Sequence, residues 1–491
     1  MKKYGLWIAG REVYPKGRKT FVSLNPTNKR AVASFCSGSE TDVNTAVAVA
    51  HQAQKKWAAL PAPQRGEVLL EVARLLRRRK QQLGRLVSTE MGKILSEGLG
   101  DVQEAIDIFE YMAGEGRRLF GHTTPSELRS KFCCTMRRPL GVVGLITPWN
   151  FPMAIPAWKL APALVCGNAV VLKPASDTPL CAYELVKTCE EAGIPPGVIN
   201  MVTGSGDEVG AHIIRHEKLA GISFTGSRVV GEFVAANAGL KRVGLELGGK
   251  NAIIIMDDAD LDLALEGVLF GAFGTAGQRC TAASRVIVSK EVKDEFEEML
   301  VKRAERLRLG DPLKESTDIG PLINENAVKK THRYTEIGKK EHAKLVTGGY
   351  ALPEKGGFFY KPTVFTNVKP HMRIAQEEIF GPSVSLMKVN DVREAIRVCN
   401  GIEYGLSSAI YTNDIQKAFT AIEHIEAGIT YVNASTIGAE VHLPFGGIKK
   451  TGNGTREAGI LGVEEFSEVK TVYIDYSGKL QKAQIDVDKR K

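Results

Sequence analysis

The sequence predicts an α/β protein organised around a parallel, doubly wound sheet. From about residue 141 onward, short apolar strands alternate with helices of about 10–15 residues, which is the pattern of a parallel sheet covered by helices on both faces. A second series of the same kind runs from about residue 250 to about residue 435. The 491 residues are 43% hydrophobic and 25% charged, an ordinary globular composition, and they suffice for two or three domains.

The elements of this pattern begin with helices. Thr41 or Asp42 is expected to cap a helix that ends near Leu60, and two further helices are expected at about 63–85 and 98–115. The first α/β series then contains five predicted buried strands, in the segments GVVGLITP, NAVVLKP, VINMVTG, LAGISFTG and RVGLELGG.

The second series starts with a strand in NAIIIMDD and a helix from about Leu261 to Gly274. Further strands are predicted in the segments SRVIVS, KLVTGG and SSAIYTN. Near the C-terminus, the segment VKTVYIDY has the character of a strand. Such a terminal strand needs an edge to pair with, for which a neighbouring subunit is one candidate.

Charge, cysteine content and hydropathy narrow the class of protein. The formal charge is +9, but the basic run at 77–80 lies in a helical pattern with few aromatic residues, which favours a solvated helix face over nucleic-acid binding. Eight cysteines without a C-x-x-C pair predict reduced thiols and neither a disulfide scaffold nor a metal site. Because the N-terminal apolar run is too short for a signal peptide and prolines interrupt the most apolar stretch, 141–172, we expect a cytoplasmic protein without a membrane span.

Three segments follow predicted strands of the first sheet, where open α/β sheets bind their ligands. They are TPWNFP (147–152), KPAS (173–176) and FTGSRVVG (224–231). In the third, Gly226, Ser227 and Gly231 lie where the strand joins a helix, and free backbone N–H groups at a helix start suit a pyrophosphate. Such a turn is also common in plain strand–helix packing. Lys173 at a neighbouring strand end favours a nucleotide.

Glu246 and Cys280 are the candidates for chemistry. Glu246 ends a buried strand before a Gly pair, so it is either functional or neutralised by a salt bridge, for example to Lys250. Cys280 follows a helix, and Gly274 and Gly277 free the backbone ahead of it. From its neighbours alone, Cys280 is equally well an inert core residue or a nucleophile. The segment QEEIFGP (376–382) by itself is typical of a solvated loop.

Taken together, these segments resemble the NAD(P)-dependent aldehyde dehydrogenase superfamily over nearly the whole chain. Seven motifs occur in the order and spacing of that family: TPWNFP, KPAS, FTGS, LELGGKN, GQRC, EEIFGP and PFGGIKKTG. Around Asn150 and Cys280, the sequence is most similar to the branch that oxidises semialdehydes, particularly 2-oxoglutarate semialdehyde.

The resemblance implies a role for each matching residue. Cys280 would be the nucleophile, Glu246 the general base, and Asn150 with the backbone N–H of Cys280 the oxyanion hole. Glu457 would relay protons, although an apparent insertion at 453–455 makes this match less secure. Residues expected to bind the cofactor are Ile146, Trp149, Lys173, Ser176, Gly226, Ser227, Gly231, Glu378 and Phe380.

The sequence leaves more than one cofactor and more than one substrate open. Many NAD-preferring relatives have a glutamate at the position of Ser176; because serine does not repel a 2′-phosphate, we expect NADP as well as NAD to be used.

Arg279, together with Thr281, is expected to contact the substrate. Arg279 either pairs with a substrate carboxylate or forms a structural ion pair. Succinate semialdehyde and simple aliphatic aldehydes stay open as substrates. Two other kinds of protein also stay open: an acylating relative that uses coenzyme A, which Glu246 disfavours, and a non-catalytic relative.

The resemblance also implies the domain organisation. The cofactor-binding domain is expected over 1–121 and 141–247, and the catalytic domain over 248–435. A β-hairpin arm at 122–140 and the segment 460–491 are expected to mediate oligomerisation. The protein would be a homo-oligomer, a dimer or a tetramer.

Overall fold

The protein, described here over residues 1–486 by a computed structural model, contains two seven-stranded sheets and a three-stranded arm. Residues 487–491 of the expected tail lie outside the described residues. The strands are β1 (Lys3–Tyr4), β2 (Leu6–Ile8), β3 (Arg11–Val13), β4 (Thr20–Leu24), β5 (Ala31–Cys36), β6 (Thr123–Thr124), β7 (Lys131–Pro139), β8 (Val142–Ile146), β9 (Ala169–Lys173), β10 (Ile199–Met201), β11 (Gly221–Thr225), β12 (Arg242–Glu246), β13 (Asn251–Ile255), β14 (Ala283–Ser289), β15 (Lys344–Thr347), β16 (Thr363–Thr366), β17 (Ser383–Val389), β18 (Tyr404–Gly405), β19 (Ser407–Tyr411), β20 (Ile429–Val432), β21 (Ile448–Lys449) and β22 (Ser467–Asp475).

Helices cover the sheets. They are α1 (Glu40–Ala59), α2 (Ala62–Met91), α3 (Leu95–Glu115), α4 (Ala154–Val165), α5 (Pro179–Glu191), α6 (Ala211–Arg215), α7 (Arg228–Asn237), α8 (Leu261–Phe273), α9 (Lys293–Arg306), α10 (Glu325–Lys340), α11 (Arg373–Gln376), α12 (Val392–Asn400), α13 (Ile415–His424), α14 (Gly459–Glu465) and α15 (Ala483–Asp486). None of the helices within residues 1–486 is long and apolar enough to cross a membrane.

The N-terminal part differs from the sequence prediction in two respects. The first 36 residues form five short strands ahead of the predicted helices, and three of these strands make a small sheet in the order β1-β5-β4. The first helix begins two or three residues earlier than expected, because its N-cap is Ser39. The backbone N–H of Ser39 donates to the Asp42 carboxylate at 2.9 Å, so Asp42 lies inside the first turn and completes a capping box.

The first large sheet aligns the ends of its parallel strands. Its order is β12-β11-β8-β9-β10-β2-β3, with β2 and β3 antiparallel. The register places Ile146 opposite Lys173, and Glu246 opposite Thr225. The polar side chains that the sequence places at separate strand ends therefore meet along one edge of the sheet, as expected for an open α/β fold.

The second large sheet begins where the first ends. Its order is β15-β16-β17-β14-β13-β19-β20, and all pairs are parallel except β15 with β16. Only four residues separate Glu246, at the end of β12, from Asn251, at the start of β13. Cys280 lies just before β14, the neighbour of β13. The carboxyl ends of the strands in the first sheet thus face the amino ends of the strands in the second sheet. The cleft between the two sets of strand ends contains the candidate site.

The predicted terminal strand pairs within its own chain. In β22, Ser467 lies opposite Pro139 of β7, and Asp475 lies opposite Lys131, in an antiparallel ladder over the full length of both strands. β6 completes this three-stranded sheet, with the order β22-β7-β6. The hairpin segment 122–140 supplies the edge with which the terminal strand was expected to pair. Among the described residues, the outer edge of β22 has no strand paired to it.

Candidate active site

The chain turns sharply just before Cys280. After α8, residues Thr275, Ala276 and Gly277 have φ angles of 53°, 54° and 70°. This left-handed conformation suits glycine, but it costs about 1–2 kcal/mol for a residue with a β-carbon, and it is rarest for β-branched residues. Gly274, to which the sequence analysis assigns part of the turn, has φ −54°. Gly274 ends α8, as expected, and the left-handed part of the turn lies at the three residues that follow it.

Contacts from α3 hold this turn. Oε1 of Glu97 accepts hydrogen bonds from the backbone N–H of Thr275 at 2.8 Å and from Nη2 of Arg279 at 3.0 Å. Nε of Arg279 donates to Oγ1 of Thr275 at 2.9 Å. The guanidinium lies over the rings of Phe151 and Phe270, 5.2 and 5.5 Å from their centroids. Arg279 therefore forms a structural ion pair, one of the two interpretations that the sequence left open.

Two cavities meet at Cys280. The larger, of about 310 Å³, is lined by residues that include Trp149, Asn150, Gly226, Ser227, Glu378 and Phe380. The smaller, of about 70 Å³, is lined by residues that include Glu246, Arg279, Thr281 and Glu457. Cys280 lines both, together with Ile155, Thr225 and Leu247. A thiol at a shared wall can contact molecules bound on either side.

Glu246 is buried without a partner. Its side chain is 4% exposed, and neither carboxylate oxygen has a hydrogen-bond partner. Burial first, and the negative charge of Glu457 second, raise its pKa well above the ordinary carboxyl value. The alternative salt bridge to Lys250 is absent, because Nζ of Lys250 also lacks a partner. A carboxyl group with a raised pKa in a cavity has the properties of a general base or acid.

A buried lysine pairs with Glu457, whose negative charge acts on Glu246. Nζ of Lys159 contacts Oε1 of Glu457 and donates to Oγ of Ser223 at 2.7 Å. The cluster continues to Glu465, whose pKa burial raises to about 7. Lys159 is a residue of the site to which the sequence pattern assigned no role. Its position within a wholly buried helix was the signal, because a lysine there requires a partner.

The nucleophile candidate is held by amides on both sides. Nδ2 of Asn150 donates to the carbonyl oxygen of Gln278 at 3.1 Å, and Nδ2 of Asn251 donates to that of Cys280 at 2.7 Å. Burial first, and Glu246 second, raise the pKa of the Cys280 thiol to about 12, while a hydrogen bond from the backbone N–H of Thr281 acts in the opposite direction. The thiol is therefore neutral in this arrangement, and its activation requires a base or a nearby positive charge.

Comparison with known proteins identifies the family. The model of the aldehyde dehydrogenase family matches residues 13–472. The chain belongs to this family. Alpha-ketoglutaric semialdehyde dehydrogenase of Bacillus subtilis is 41% identical over 456 residues, 92% of this chain and 93% of that protein. Alpha-ketoglutarate semialdehyde dehydrogenase of Haloferax volcanii is 43% identical over 479 residues, 96% of this chain and 98% of that protein.

A solved structure gives the same result. Betaine aldehyde dehydrogenase from Staphylococcus aureus, in complex with NAD+, matches with a TM-score of 0.95 and 34% identity, over 97% of this chain and 95% of that one. The predicted family, fold and enzyme class of an NAD(P)-dependent aldehyde dehydrogenase are thereby confirmed.

The larger cavity of this aldehyde dehydrogenase fits a dinucleotide. Ser227 is the N-cap of α7, but its side chain makes no cap hydrogen bond, so the N–H groups of the first turn are free for a pyrophosphate. Glu378 is half-buried and accepts a hydrogen bond from the backbone N–H of Gly249 at 3.0 Å, which leaves acceptor capacity for a ribose hydroxyl. The rings of Trp149 and Phe380 meet edge to face, 5.5 Å apart.

The predicted adenosine end lies beside this cavity without lining it. Lys173 ends β9, donates to the carbonyl oxygen of Pro174 at 3.1 Å, and has a pKa that burial lowers to about 8. Oγ of Ser176 donates to the carbonyl oxygen of Gly204 at 3.0 Å. Ile146 is buried at the end of the neighbouring strand β8. The hydroxyl of Ser176 thus stands at the position where many NAD-preferring relatives are expected to have a glutamate that binds the ribose.

Gly231 does not have the geometry of a phosphate-binding residue. Its N–H donates to the carbonyl oxygen of Ser227 at 2.9 Å inside α7, so it is not free for a ligand. A β-carbon there would lie 2.3 Å from Cδ2 of Leu247. The structure corrects the prediction, because the glycine permits close packing of α7 on the strand that carries Glu246.

Proposed function

We propose that this aldehyde dehydrogenase oxidises its substrate to a carboxylate through a thioester on Cys280. The observation that carries the proposal is the position of Cys280 in the wall shared by the two cavities, one suited to the dinucleotide and one containing Glu246. The Cys280 thiol gives its proton to a base, its sulfur adds to the aldehyde carbon to form a thiohemiacetal, and loss of a hydride from that carbon leaves the thioester. NAD(P)+ supplies the hydride acceptor when it is bound.

Asn150 and the backbone N–H of Cys280 stabilise the oxyanion of the tetrahedral adduct. An amide nitrogen has two N–H groups, and the bond to Gln278 uses one of them, so the second is available to the oxyanion. The same bond holds the amide against the turn that carries the nucleophile. Such preorganised donors stabilise developing charge without reorientation.

Glu246 then activates the water that hydrolyses the thioester. Its raised pKa makes the ionised carboxylate a stronger base than an ordinary glutamate. The proton passes to Glu457, which lies in the same cavity, and onward through the ion pair with Lys159. The acylating alternative that transfers the acyl group to coenzyme A lacks support, because a deacylating carboxylate is present.

The substrate we propose is a semialdehyde, an aldehyde with a carboxylate at its other end. Two relatives carry this activity in their names. Arg279 lines the substrate cavity, and its contacts with Glu97 and Thr275 use two of five N–H donors, so others can bind a carboxylate.

The second candidate is an uncharged aliphatic or aromatic aldehyde. Phe151, Trp158, Ile437 and Phe445 make much of the substrate cavity apolar. Glu104 lines the same cavity and opposes an anionic substrate when it is ionised. Burial first, and Asp101 second, raise the pKa of Glu104 to about 7, so the group is partly neutral near physiological pH.

A substrate panel separates the two candidates. We expect kcat/KM for 2-oxoglutarate semialdehyde or succinate semialdehyde to exceed that for an aliphatic aldehyde of equal length, with NAD and with NADP. Glu104→Gln should raise this ratio further, because it removes the opposing charge. Equal or better turnover of the uncharged aldehyde in the wild-type enzyme would favour the second candidate.

The arm supports an oligomeric assembly. We propose a cytoplasmic homo-oligomer, a dimer or a tetramer, in which β22 and β7 contact a second subunit. Exposed apolar side chains on these strands support the proposal: Phe132, Met136, Val469, Tyr473 and Ile474. Sedimentation equilibrium tests it, and a monomer at micromolar concentration would exclude it.

A further inference from the structure

The turn before the nucleophile cannot be stable by itself. Thr275 and Ala276 both have left-handed backbone conformations, and Thr275 carries a branched β-carbon. A left-handed residue without glycine persists only where surrounding contacts determine it. Some contact outside the turn must therefore fix the path of the chain into Cys280.

Glu97 supplies that contact from a distant helix. It lies at the start of α3, 178 residues from Thr275 in the sequence. One oxygen atom, Oε1, accepts both the backbone N–H of Thr275 and Nη2 of Arg279. The side chains of Glu97 and Arg279 are 10% and 12% exposed, so the pair is poorly screened by water. Gly274 leaves room for the carboxylate, since a β-carbon there would lie 3.2 Å from Oε1.

The start of α3 is itself anchored to the oxyanion side of the site. Asp101, one turn after Glu97, accepts the backbone N–H of Ala154 at 2.7 Å through Oδ1. Its other oxygen binds Nζ of Lys93 at 2.9 Å, in a pair with both side chains fully buried. Ala154 begins α4, four residues after Asn150. The same helix therefore contacts the element that follows the oxyanion donor and the turn that carries the thiol.

We propose that Glu97 is a positioning residue, which holds the left-handed turn so that the Cys280 thiol and the Asn150 amide keep a fixed separation. This inference rests on the proposed role of Cys280 as nucleophile. Glu97 does not contact the substrate; it acts through Thr275 and Arg279. Its loss should slow every step that uses the thiol and leave dinucleotide binding intact, because the residues that line the cofactor cavity, apart from Cys280 itself, lie outside this turn.

The test compares Glu97→Ala and Glu97→Gln with the wild type. Three quantities are measured: the rate of Cys280 alkylation by iodoacetamide, the rate of the pre-steady-state burst of reduced cofactor, and the Kd of NAD. Cys280→Ala provides the alkylation blank, since other cysteines are present. Glu110→Gln is the matched control, because Glu110 lies on the same helix in an exposed pair with Arg77.

Alkylation and burst rates should fall by about tenfold to a hundredfold in Glu97→Ala, the range expected for a misplaced reacting group. The fall should be smaller in Glu97→Gln, whose amide oxygen still accepts the Thr275 N–H. The Kd of NAD should stay within twofold, and Glu110→Gln should match the wild type. Unchanged alkylation and burst rates in either folded Glu97 variant would overturn the proposal. If Glu97→Ala does not fold, Glu97→Gln decides.

A double-mutant cycle separates positioning from a general contribution to folding. Thr275→Gly relieves the left-handed strain and removes Oγ1 while it keeps the backbone N–H. The loss of burst rate on changing Glu97 to Ala should therefore be smaller in the Thr275→Gly background. Equal losses in both backgrounds would contradict the proposal. Absence of a burst in the wild type with any aldehyde would instead refute the proposed function, so the two failures are distinguishable.

Discussion

Nδ2 of Asn150 donates a hydrogen bond to the carbonyl oxygen of Gln278, two residues before Cys280, at 3.1 Å. This bond connects the carboxyl edge of the first sheet to the amino edge of the second across the cleft. The proposed oxyanion donor is therefore attached to the same turn as the proposed nucleophile. Geometry of this kind requires no movement when the substrate arrives.

Replacing Asn150 should affect the chemical step. We expect Asn150→Ala to lower kcat by about 10²–10³-fold, the usual cost of removing one oxyanion donor. The burst rate should fall in parallel, because the tetrahedral adduct forms before hydride transfer. Stopped-flow measurement of reduced cofactor provides the test. An unchanged burst rate would exclude Asn150 from the oxyanion hole.

Glu246→Gln should separate the two halves of the reaction. The variant keeps Cys280, so we expect one equivalent of reduced cofactor per active site in a burst. Steady-state turnover should then fall by about 10²-fold or more, because hydrolysis loses its general base. Cys280→Ala is the matched control, since it should show neither burst nor turnover. Wild-type turnover in Glu246→Gln would contradict the assignment of the base.

The raised pKa of Glu246 also predicts a dependence of stability on pH. A raised pKa means that the folded enzyme holds the proton more tightly than the unfolded chain does. This contribution is fully present below the ordinary carboxyl pKa of 4.5 and is lost as the pH rises towards the folded value. The melting temperature of Glu246→Gln should thus gain on that of the wild type as the pH rises above 4.5. A constant difference across that range would contradict the buried, unpartnered state of the carboxyl group.

Ser176→Glu should change cofactor preference. A carboxylate at this position binds ribose hydroxyls but repels a 2′-phosphate, whereas serine permits both cofactors. We expect the ratio of kcat/KM for NAD over NADP to rise by about tenfold or more, since like charges placed together cost several kcal/mol. Ser176→Gln controls for side-chain size without charge. A strong NAD preference in the wild type would already refute the expectation.

Much of the fold was predictable because it depends on local patterns. Strands such as β8 and β9 are short apolar runs between turns, and their alternation with helices restricts the sheet to a parallel arrangement. Five N-terminal strands were missed; the first three, β1 to β3, have two or three residues each and carry no periodicity of useful length. The predicted N-cap of the first helix lay too far along the chain. Thr41 and Asp42 are by residue type as good at capping as Ser39, so residue type did not select the observed cap.

The sequence by itself led to the residues proposed for the chemistry. Cys280, Glu246 and Asn150 lie in ordered motifs, and residue type and order along the chain suffice to propose their roles. Only the tertiary structure decided how these residues are held. Glu97 lies 178 residues from Thr275, and Lys159 lies 298 residues from Glu457, so no local pattern reports either contact. The physical reason is that burial and charge pairing depend on which distant segments the sheet topology brings together, whereas turns and strands depend on neighbours in the chain.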